Sequence, residues 1–249
     1  MNSFKKDTKQ LSIFVTAGYP HLDSLNDQLT LLESNGVDFV EVGIPFSDPM
    51  ADGPTIQKTS DIALKNGMNL ALLFDQLKTR TSNIPIVLMG YLNPVLSFGL
   101  DRFLKACQSV GVRTVILPDM SLEIYQRFYR EQFEAHDVTP SFLITPTSSR
   151  ERIEKISAAC TKSFVYLVSS NATTGGQSSF GTEQAANYQA IRSICGNTPL
   201  FIGFGIDSRE KVEFVQNVCD GAIIGSAYLK ALAKQEAEPF LKSIQFAEV

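Results

Sequence analysis

Histidine and cysteine are scarce in this chain. Of its 249 residues only two are histidines, and the four cysteines lie far apart without a CxxC pair. Zinc sites and histidine-based catalytic triads draw on these residue types, so the sequence offers little material for either. We therefore expect the cysteines to be reduced structural thiols, and we expect no bound metal.

Long apolar runs are absent as well. No segment approaches the ~20 consecutive apolar residues that span a bilayer. The first residues, MNSFKKD, lack the apolar core of a secretory signal. The net charge is −4 and the basic residues are scattered, which argues against a nucleic-acid-binding surface. These features lead us to expect a cytoplasmic protein that binds neither membrane nor nucleic acid.

Short apolar runs alternate with amphipathic stretches along the whole chain, and no linker-like segment divides it. The length suits one domain over residues 1–249. The runs typical of buried strands are residues 12–16, 39–42, 86–89, 114–117, 141–144, 164–168, 200–202 and 221–224. The helix-like stretches are residues 25–34, 55–65, 70–79, 101–110, 122–133, 150–159, 183–194, 209–218 and 238–246.

Eight strand-then-helix units in one domain predict an α/β fold, a (β/α)₈ TIM barrel with extra short helices. A doubly wound open sheet is the alternative, but the number of strand-then-helix units, eight, favours the barrel. Capping-box spacings predict that two helices start at Ser148, with Glu151, and at Asp207, with Glu210.

Carboxylates cluster around the end of the second predicted strand. Glu41 lies inside the apolar run, while Asp48 and Asp52 lie on the proline-rich loop that follows. A charge in a buried strand is unfavourable unless it has a partner or a function. The functional interpretation is an active site, because barrel enzymes place theirs at the carboxyl ends of the strands. The simpler alternative is a salt-bridged glutamate followed by turn-forming aspartates.

Glycine-rich segments follow the last three predicted strands. They contain Thr174 and Gly175, then Gly203 and Gly205, and finally Gly225 with Ser226. Backbone N–H groups at such glycines can approach an anion closely, and a short helix over residues 226–231 would point its N-terminus there. Together the three segments predict a bound phosphate.

Aromatic and polar side chains surround the same predicted mouth. Each alone is explained by core packing or turn chemistry, but as a set they describe an aromatic-lined pocket beside an anion site. They are Phe14, Thr16, Tyr91, Asn93, Asp119, Tyr166 and Phe204. A flat apolar ring joined to a short phosphorylated tail would fit such a pocket.

The segment EVGIPFSDPMADGP, residues 41–54, closely resembles the active-site segment of the tryptophan synthase α subunit family. Further matches are MGYLNP at 89–94, PD at 118–119, GFGI at 203–206 and GSA at 225–227. The resemblance runs from about Leu11 to Leu232. It implies a lyase that cleaves indole-3-glycerol phosphate into indole and glyceraldehyde 3-phosphate by a retro-aldol reaction, without a metal or organic cofactor in this chain.

The resemblance also assigns roles to individual residues. Glu41 matches the acid/base residue, and Asp52 matches the carboxylate that binds the indole N–H. Thr174 matches a threonine on the mobile loop after the sixth strand. The positions that match the phosphate site are Gly175, Gly205, Gly225 and Ser226. The positions that match the walls around the indole and glycerol are Phe14, Ile56, Tyr91, Tyr166 and Phe204.

A partner is implied too. The family's β subunit carries pyridoxal phosphate and joins the released indole to serine in an αββα heterotetramer, and Asp48, Asn93 and Pro94 match segments that face it. The loop after the sixth strand departs from the familiar pattern: it keeps Thr174 and Gly175 but reads Ser-Asn-Ala-Thr at 170–173, without the usual arginine.

Two other functions compete with the lyase. Another phosphate-binding barrel of aromatic amino-acid synthesis would share the glycine segments but would not need the Glu41–Asp52 segment in this form. A non-catalytic activator of the β subunit is suggested by the altered loop, and the retention of both carboxylates argues against it.

Overall fold

A single parallel sheet forms the centre of the molecule. The computed structural model describes residues 4–169, 181–203 and 205–244. In sequence order the strands are β1 Gln10–Thr16, β2 Phe39–Gly43, β3 Ile86–Met89, β4 Thr114–Ile116, β5 Thr139–Ser141, β6 Leu143–Ile144, β7 Val165–Val168, β8 Leu200–Gly203 and β9 Gly221–Ile224. Their order in the sheet is β5-β4-β3-β2-β1-β9-β8-β7-β6.

The two ends of this sheet meet at Phe142. β5 pairs with β4 and β6 pairs with β7, yet only Phe142 separates β5 from β6 in the chain. Its carbonyl accepts the N–H of Tyr166 at 3.0 Å, so the ring of strands continues through it. The predicted barrel is therefore confirmed and an open sheet is excluded. The described residues form nine strands where eight were expected, because the fifth, predicted at 141–144, is interrupted at this residue.

Helices surround the barrel. They are α1 Leu25–Ser34, α2 Pro54–Lys65, α3 Leu70–Lys78, α4 Leu92–Phe98, α5 Leu100–Ser109, α6 Leu122–Ile124, α7 Arg130–Ala135, α8 Arg150–Ala159, α9 Thr182–Ile194, α10 Arg209–Val218, α11 Ser226–Ala233 and α12 Ala237–Ile244. The short helix expected after the eighth barrel strand is present as α11. The stretch predicted as one helix at 122–133 contains a π-helical segment, Tyr125–Tyr129, between α6 and α7.

Two predicted helix starts are wrong by one residue. Ser149, not Ser148, caps α8, and its hydroxyl accepts the N–H of Arg152 at 3.3 Å. Ser208, not Asp207, caps α10 in the same way. Each pair of neighbours consists of two good capping residues, and only the path of the backbone into the helix decides between them.

Aromatic rings fill the lower half of the barrel. Phe39 and Phe201 lie on β2 and β8, Phe164 immediately precedes β7, and all three are fully buried against one another. Phe4 covers them from the N-terminal side, with ring centroids 4.8 Å from Phe164 and 5.1 Å from Phe39. Side chains alternate along a strand, so the residues two positions later form the next inward layer. That layer contains Glu41, Tyr166 and Gly203 above an apolar floor.

A buried aspartate ties the N-terminal segment to the bottom of β8 and β9. Asp220 is fully buried and accepts the N–H groups of Asp7 and Leu200 at 2.8 and 2.9 Å. The guanidinium of Arg192 lies 2.6 Å from the same carboxylate, and Lys6 lies 3.6 Å away. The carboxylate thus has both charge partners and backbone donors, which is what makes burial of a charge tolerable.

Replacement of this carboxylate is expected to destabilise the barrel strongly. Asp220→Ala should lower the free energy of unfolding by about 3 kcal/mol, since it leaves a half-buried cation and two backbone N–H groups without an acceptor. Urea unfolding measures the change. Asp75→Ala, which removes an exposed ion pair with Lys78, should change the free energy by less than about 1 kcal/mol. Equal effects of the two substitutions would contradict the assigned role of Asp220.

Candidate active site

Glu41 is buried near the carboxyl end of β2. It pairs in register with Phe14 of β1 and Val87 of β3, and only 1% of its surface is exposed. Neither carboxyl oxygen has a hydrogen-bond partner among the described residues. Burial raises the pKa of this carboxyl from 4.5 to about 8. The group therefore holds its proton at neutral pH and can exchange it near that pH.

Tyr166 lies beside Glu41 in the same inward layer. Its ring occupies the space above Gly203, where any Cβ atom would overlap the tyrosine hydroxyl. Gly43 makes room in the same way for the ring of Phe14. Burial and then the negative charges of Glu41 and Asp52 raise the pKa of Tyr166 well above its usual value. This electrostatic coupling puts both predicted catalytic carboxylates in the neighbourhood of one buried phenol.

A cavity of about 880 Å³ opens above this layer. Seven of the residues predicted from the sequence line it: Phe14, Glu41, Ile56, Tyr166, Gly205, Gly225 and Ser226. Gly225 immediately precedes α11, so the N-terminus of that helix faces the cavity. Unpaired N–H groups and the positive end of the helix dipole favour an anion there. The cavity thus combines an apolar wall, a protonated carboxyl and an end whose electrostatics favour an anion.

Asp52 directly precedes the lining residue Gly53 and is held by Tyr91, although neither Asp52 nor Tyr91 lines the cavity itself. The tyrosine hydroxyl donates to Asp52 Oδ2 at 3.0 Å and accepts the N–H of Ala51 at 2.9 Å. Asp52 Oδ1 is buried without a partner among the described residues. Burial raises the pKa of Asp52, and the hydrogen bond from Tyr91 opposes that change. One carboxylate oxygen is therefore fixed by the protein while the other is left for a donor.

Other predicted positions lie elsewhere. Asp119 caps α4, because both of its carboxylate oxygens accept the N–H of Leu92 at 2.9 and 3.0 Å. Asp48 and Asn93 lie away from the cavity lining, and Pro94 is in the first turn of α4. Thr174, Gly175 and Phe204 lie outside the described residues, as does the departing loop at 170–173.

Two lysines on the cavity rim are not among the site residues predicted from the sequence. Lys230 and Lys234 line the same cavity from α11 and its C-terminal end. They follow Ser226 at intervals of four residues, which places all three on one helix face. That spacing is visible in the sequence once the helix is recognised, and it adds positive charge near the predicted phosphate site.

Within the part of the chain that the structure describes, no group of three or more His, Cys, Asp or Glu side chains could hold a metal ion. No helix in the same ranges is long and apolar enough to cross a membrane.

Comparison with known proteins shows the family to which the chain belongs. The family described as "Tryptophan synthase alpha chain" matches residues 1–248. The chain belongs to this family. The tryptophan synthase alpha chain of Flavobacterium psychrophilum is 44% identical over 242 residues, which cover 96% of this chain and 95% of that protein. The alpha chain of Parabacteroides distasonis is 45% identical over 92% of this chain and 89% of its own length.

Solved structures of tryptophan synthase α subunits share the fold. The subunit from Campylobacter jejuni superposes with a TM-score of 0.84 at 29% identity, covering 98% of this chain and 96% of that one. A mutant α subunit from Pyrococcus furiosus superposes with a TM-score of 0.81 at 33% identity, covering 96% of both chains. The resemblance seen in the sequence is thus confirmed at the level of family and fold, and the family is a lyase family.

The buried carboxyl of this alpha chain should make its stability depend on pH. The folded protein keeps the Glu41 proton up to about pH 8, whereas the unfolded chain loses it near 4.5, so stability falls as pH rises between these values. Glu41→Gln removes this dependence. The difference in melting temperature between Glu41→Gln and the parent should therefore grow in favour of the variant as the pH rises from about 5 to 8.5. The corresponding change in the free energy of unfolding is about a few kcal/mol.

Thermal unfolding at several pH values tests this expectation. Exposed Glu151→Gln, which removes an ion pair with Lys155, is the matched control and should show no such trend. A constant difference between Glu41→Gln and the parent across the range would contradict the elevated pKa of Glu41.

Proposed function

We propose that this chain cleaves indole-3-glycerol phosphate to indole and glyceraldehyde 3-phosphate, with Glu41 as the acid/base residue. The observation that carries the proposal is the carboxyl of Glu41, which is buried at the cavity, lacks any partner among the described residues and has a pKa near 8. A structural glutamate would have a charge partner or hydrogen bonds at such a depth.

The retro-aldol reaction needs one group that first gives and then takes a proton. Neutral Glu41 donates its proton to C3 of the indole, which makes the bond from C3 to the glycerol chain breakable. The resulting carboxylate accepts the proton of the adjacent side-chain hydroxyl as that bond breaks and the aldehyde forms. The electron pair of the broken bond returns to the indole ring, and Glu41 regains its initial state.

Asp52 stabilises the positive charge that develops on the ring. In the proposed complex its unpartnered Oδ1 accepts the indole N–H, which becomes more acidic once C3 is protonated. Tyr91 fixes the other carboxylate oxygen, so the acceptor is oriented before the substrate arrives. The phenol of Tyr166, held close to both carboxylates, completes the polar side of the pocket.

The remaining substrate groups match the rest of the cavity. Phe14 and Ile56 offer an apolar wall for the indole, while Gly205, Gly225 and Ser226 offer backbone N–H groups and a helix N-terminus for the phosphate. Lys230 adds a nearby cation. The roles of Thr174, Gly175 and Phe204 stay predictions from the family resemblance.

The proposal extends to a partner. By family, a β subunit that carries pyridoxal phosphate would take up the indole in the cytoplasm, within an assembly of two α and two β subunits that Asp48, Asn93 and Pro94 would face. Two large apolar side chains are exposed near these segments: Met50, 89% exposed after β2, and Leu96, 42% exposed on α4. Exposed apolar side chains on the segments beside a site entrance suit a protein interface.

Release of glyceraldehyde 3-phosphate, measured with and without a β subunit, tests the proposal. Glu41→Gln should lower kcat by at least roughly 100-fold, because it removes the proton donor and acceptor while preserving shape. Asp52→Asn should also lower kcat by roughly 100-fold, because an amide cannot stabilise the developing positive charge. No release by the parent, despite activation of the β reaction, would instead make the chain a non-catalytic activator.

Tyr91→Phe tests how much the orientation of Asp52 contributes to activity, separately from its charge. Loss of the phenol hydroxyl removes its hydrogen bonds to Asp52 and to the N–H of Ala51, while the carboxylates of Glu41 and Asp52 are both retained. Activity should fall by roughly tenfold, in keeping with one charge-assisted hydrogen bond. A loss as large as that of Asp52→Asn would show that Tyr91 does more than hold the aspartate.

A further inference from the structure

A second cavity lies at the opposite end of the barrel. Its volume is about 690 Å³, and its walls come from the segments that lead into β3, β4, β5 and β7. The lining residues are Phe4, Arg80, Asn83, Ile84, Pro85, Ile86, Gly111, Arg113, Thr114, Asp137, Thr139, Thr161 and Lys162. All of them precede or begin a strand, whereas the candidate active site lies beyond the strand ends. The proposed lyase reaction makes no use of this cavity.

Positive charge predominates there. The described residues that line the cavity include three cations, Arg80, Arg113 and Lys162, and a single carboxylate, that of Asp137. Asp137 lies 3.8 Å from Arg113 and 3.3 Å from Lys162, so it is shared between these two cations. A further carboxylate, that of Glu33, accepts the N–H of Asn83 at 3.0 Å without lining the cavity.

Arg80 has no carboxylate partner among the described residues. Its Nη1 donates to the carbonyl of Leu77 at 2.8 Å, and its Nε is buried without an acceptor in the same part of the chain. Burial lowers the pKa of this guanidinium. A half-buried guanidinium usually has its donors satisfied, because an unmet N–H inside a protein is unfavourable. An oxyanion in the cavity would supply this guanidinium with the counter-charge that the described residues do not provide.

We propose that this cavity binds a small phosphate-class oxyanion with two or more negative charges, held by Arg80, Arg113 and Lys162. The planar fork of a guanidinium matches phosphate oxygens in pairs, and an ammonium adds a point charge. Thr114, Thr139 and Thr161 add hydroxyl groups to the same walls. The volume lies within the usual range for small-molecule pockets. The site is independent of the proposed lyase reaction.

Titration with inorganic phosphate and pyrophosphate, followed by NMR of the amides of Gly111 and Gly225, tests the proposal. Gly111 lines the second cavity and Gly225 lines the candidate active site, so the two signals report separately on the two sites. The Gly111 signal should shift with both anions, and sodium chloride at matched ionic strength should not reproduce the shift. A Gly111 signal that responds to neither phosphate nor pyrophosphate would overturn the proposal, even if the carboxylate dianion succinate shifted that signal.

Two substitutions should act in opposite directions. Arg80→Gln should weaken pyrophosphate binding at Gly111 by roughly tenfold or more and leave the response of Gly225 unchanged. Asp137→Asn should strengthen it, because it removes the carboxylate that competes for Arg113 and Lys162. Asparagine tolerates the positive φ of 51° at this position well, so the second variant should fold normally.

Control variants distinguish a built site from general attraction. Arg150→Gln removes an exposed arginine from the start of α8, which follows the carboxyl end of β6. It should leave the Gly111 response unchanged, and an effect equal to that of Arg80→Gln would overturn the site. If Arg80→Gln does not fold, the exposed Arg113→Gln must weaken binding and Asp137→Asn must strengthen it. Failure of either expectation would overturn the proposal.

Discussion

The unpaired burial of one carboxyl group sets the requirements for the rest of the site. Glu41 has no charge partner or hydrogen bond among the described residues, and its burial keeps its pKa near 8. Beneath it, the rings of Phe39, Phe164 and Phe201 close the barrel against water. A carboxyl that is neutral at pH 7, and whose pKa lies close to that pH, can serve as both donor and acceptor of a proton.

The barrel makes that placement possible because its strands impose a period of two. The same inward face that carries the aromatic floor carries Glu41 and Tyr166 one layer higher, and Gly203 leaves the space that the tyrosine ring needs. The loops above carry groups proposed to meet the substrate. Asp52 is fixed because Tyr91, from beyond a different strand, bonds its side chain and the neighbouring backbone.

The two ends of the barrel have different electrostatic characters. At the carboxyl ends of the strands, the buried carboxyl of Glu41 shares a cavity with a helix N-terminus and two lysines. At the amino ends, the basic side chains of the second cavity outnumber the acid that two of them share. Asp220, also at the amino ends, is fully paired, whereas the guanidinium of Arg80 has no carboxylate partner among the described residues. A buried charge that has charge partners, such as Asp220, indicates a structural role. A half-buried charge without such a partner, such as Arg80, indicates a place for a ligand.

The barrel, most strand positions and the carboxylate at the end of β2 could be predicted from the sequence. These follow from local patterns: apolar runs of strand length, their alternation with helices, and one acidic residue where an apolar one is expected. The resemblance to a known family then supplied the proposed roles of Glu41 and Asp52. Lys230 and Lys234 were missed, although their spacing from Ser226 is a local pattern once α11 is assigned.

Features that depend on contacts between distant segments became visible only in the folded chain. The break of the fifth strand at Phe142 follows from closing the ring between β4 and β7. Asp119 could equally have been a site residue by sequence, and its bonds to Leu92, which is 27 positions away, make it a helix cap. The bond of Tyr91 to Asp52 and the surroundings of Arg80 likewise arise from segments far apart in the chain. No local pattern encodes such a pairing, because the geometry that creates it exists only after the strands have assembled.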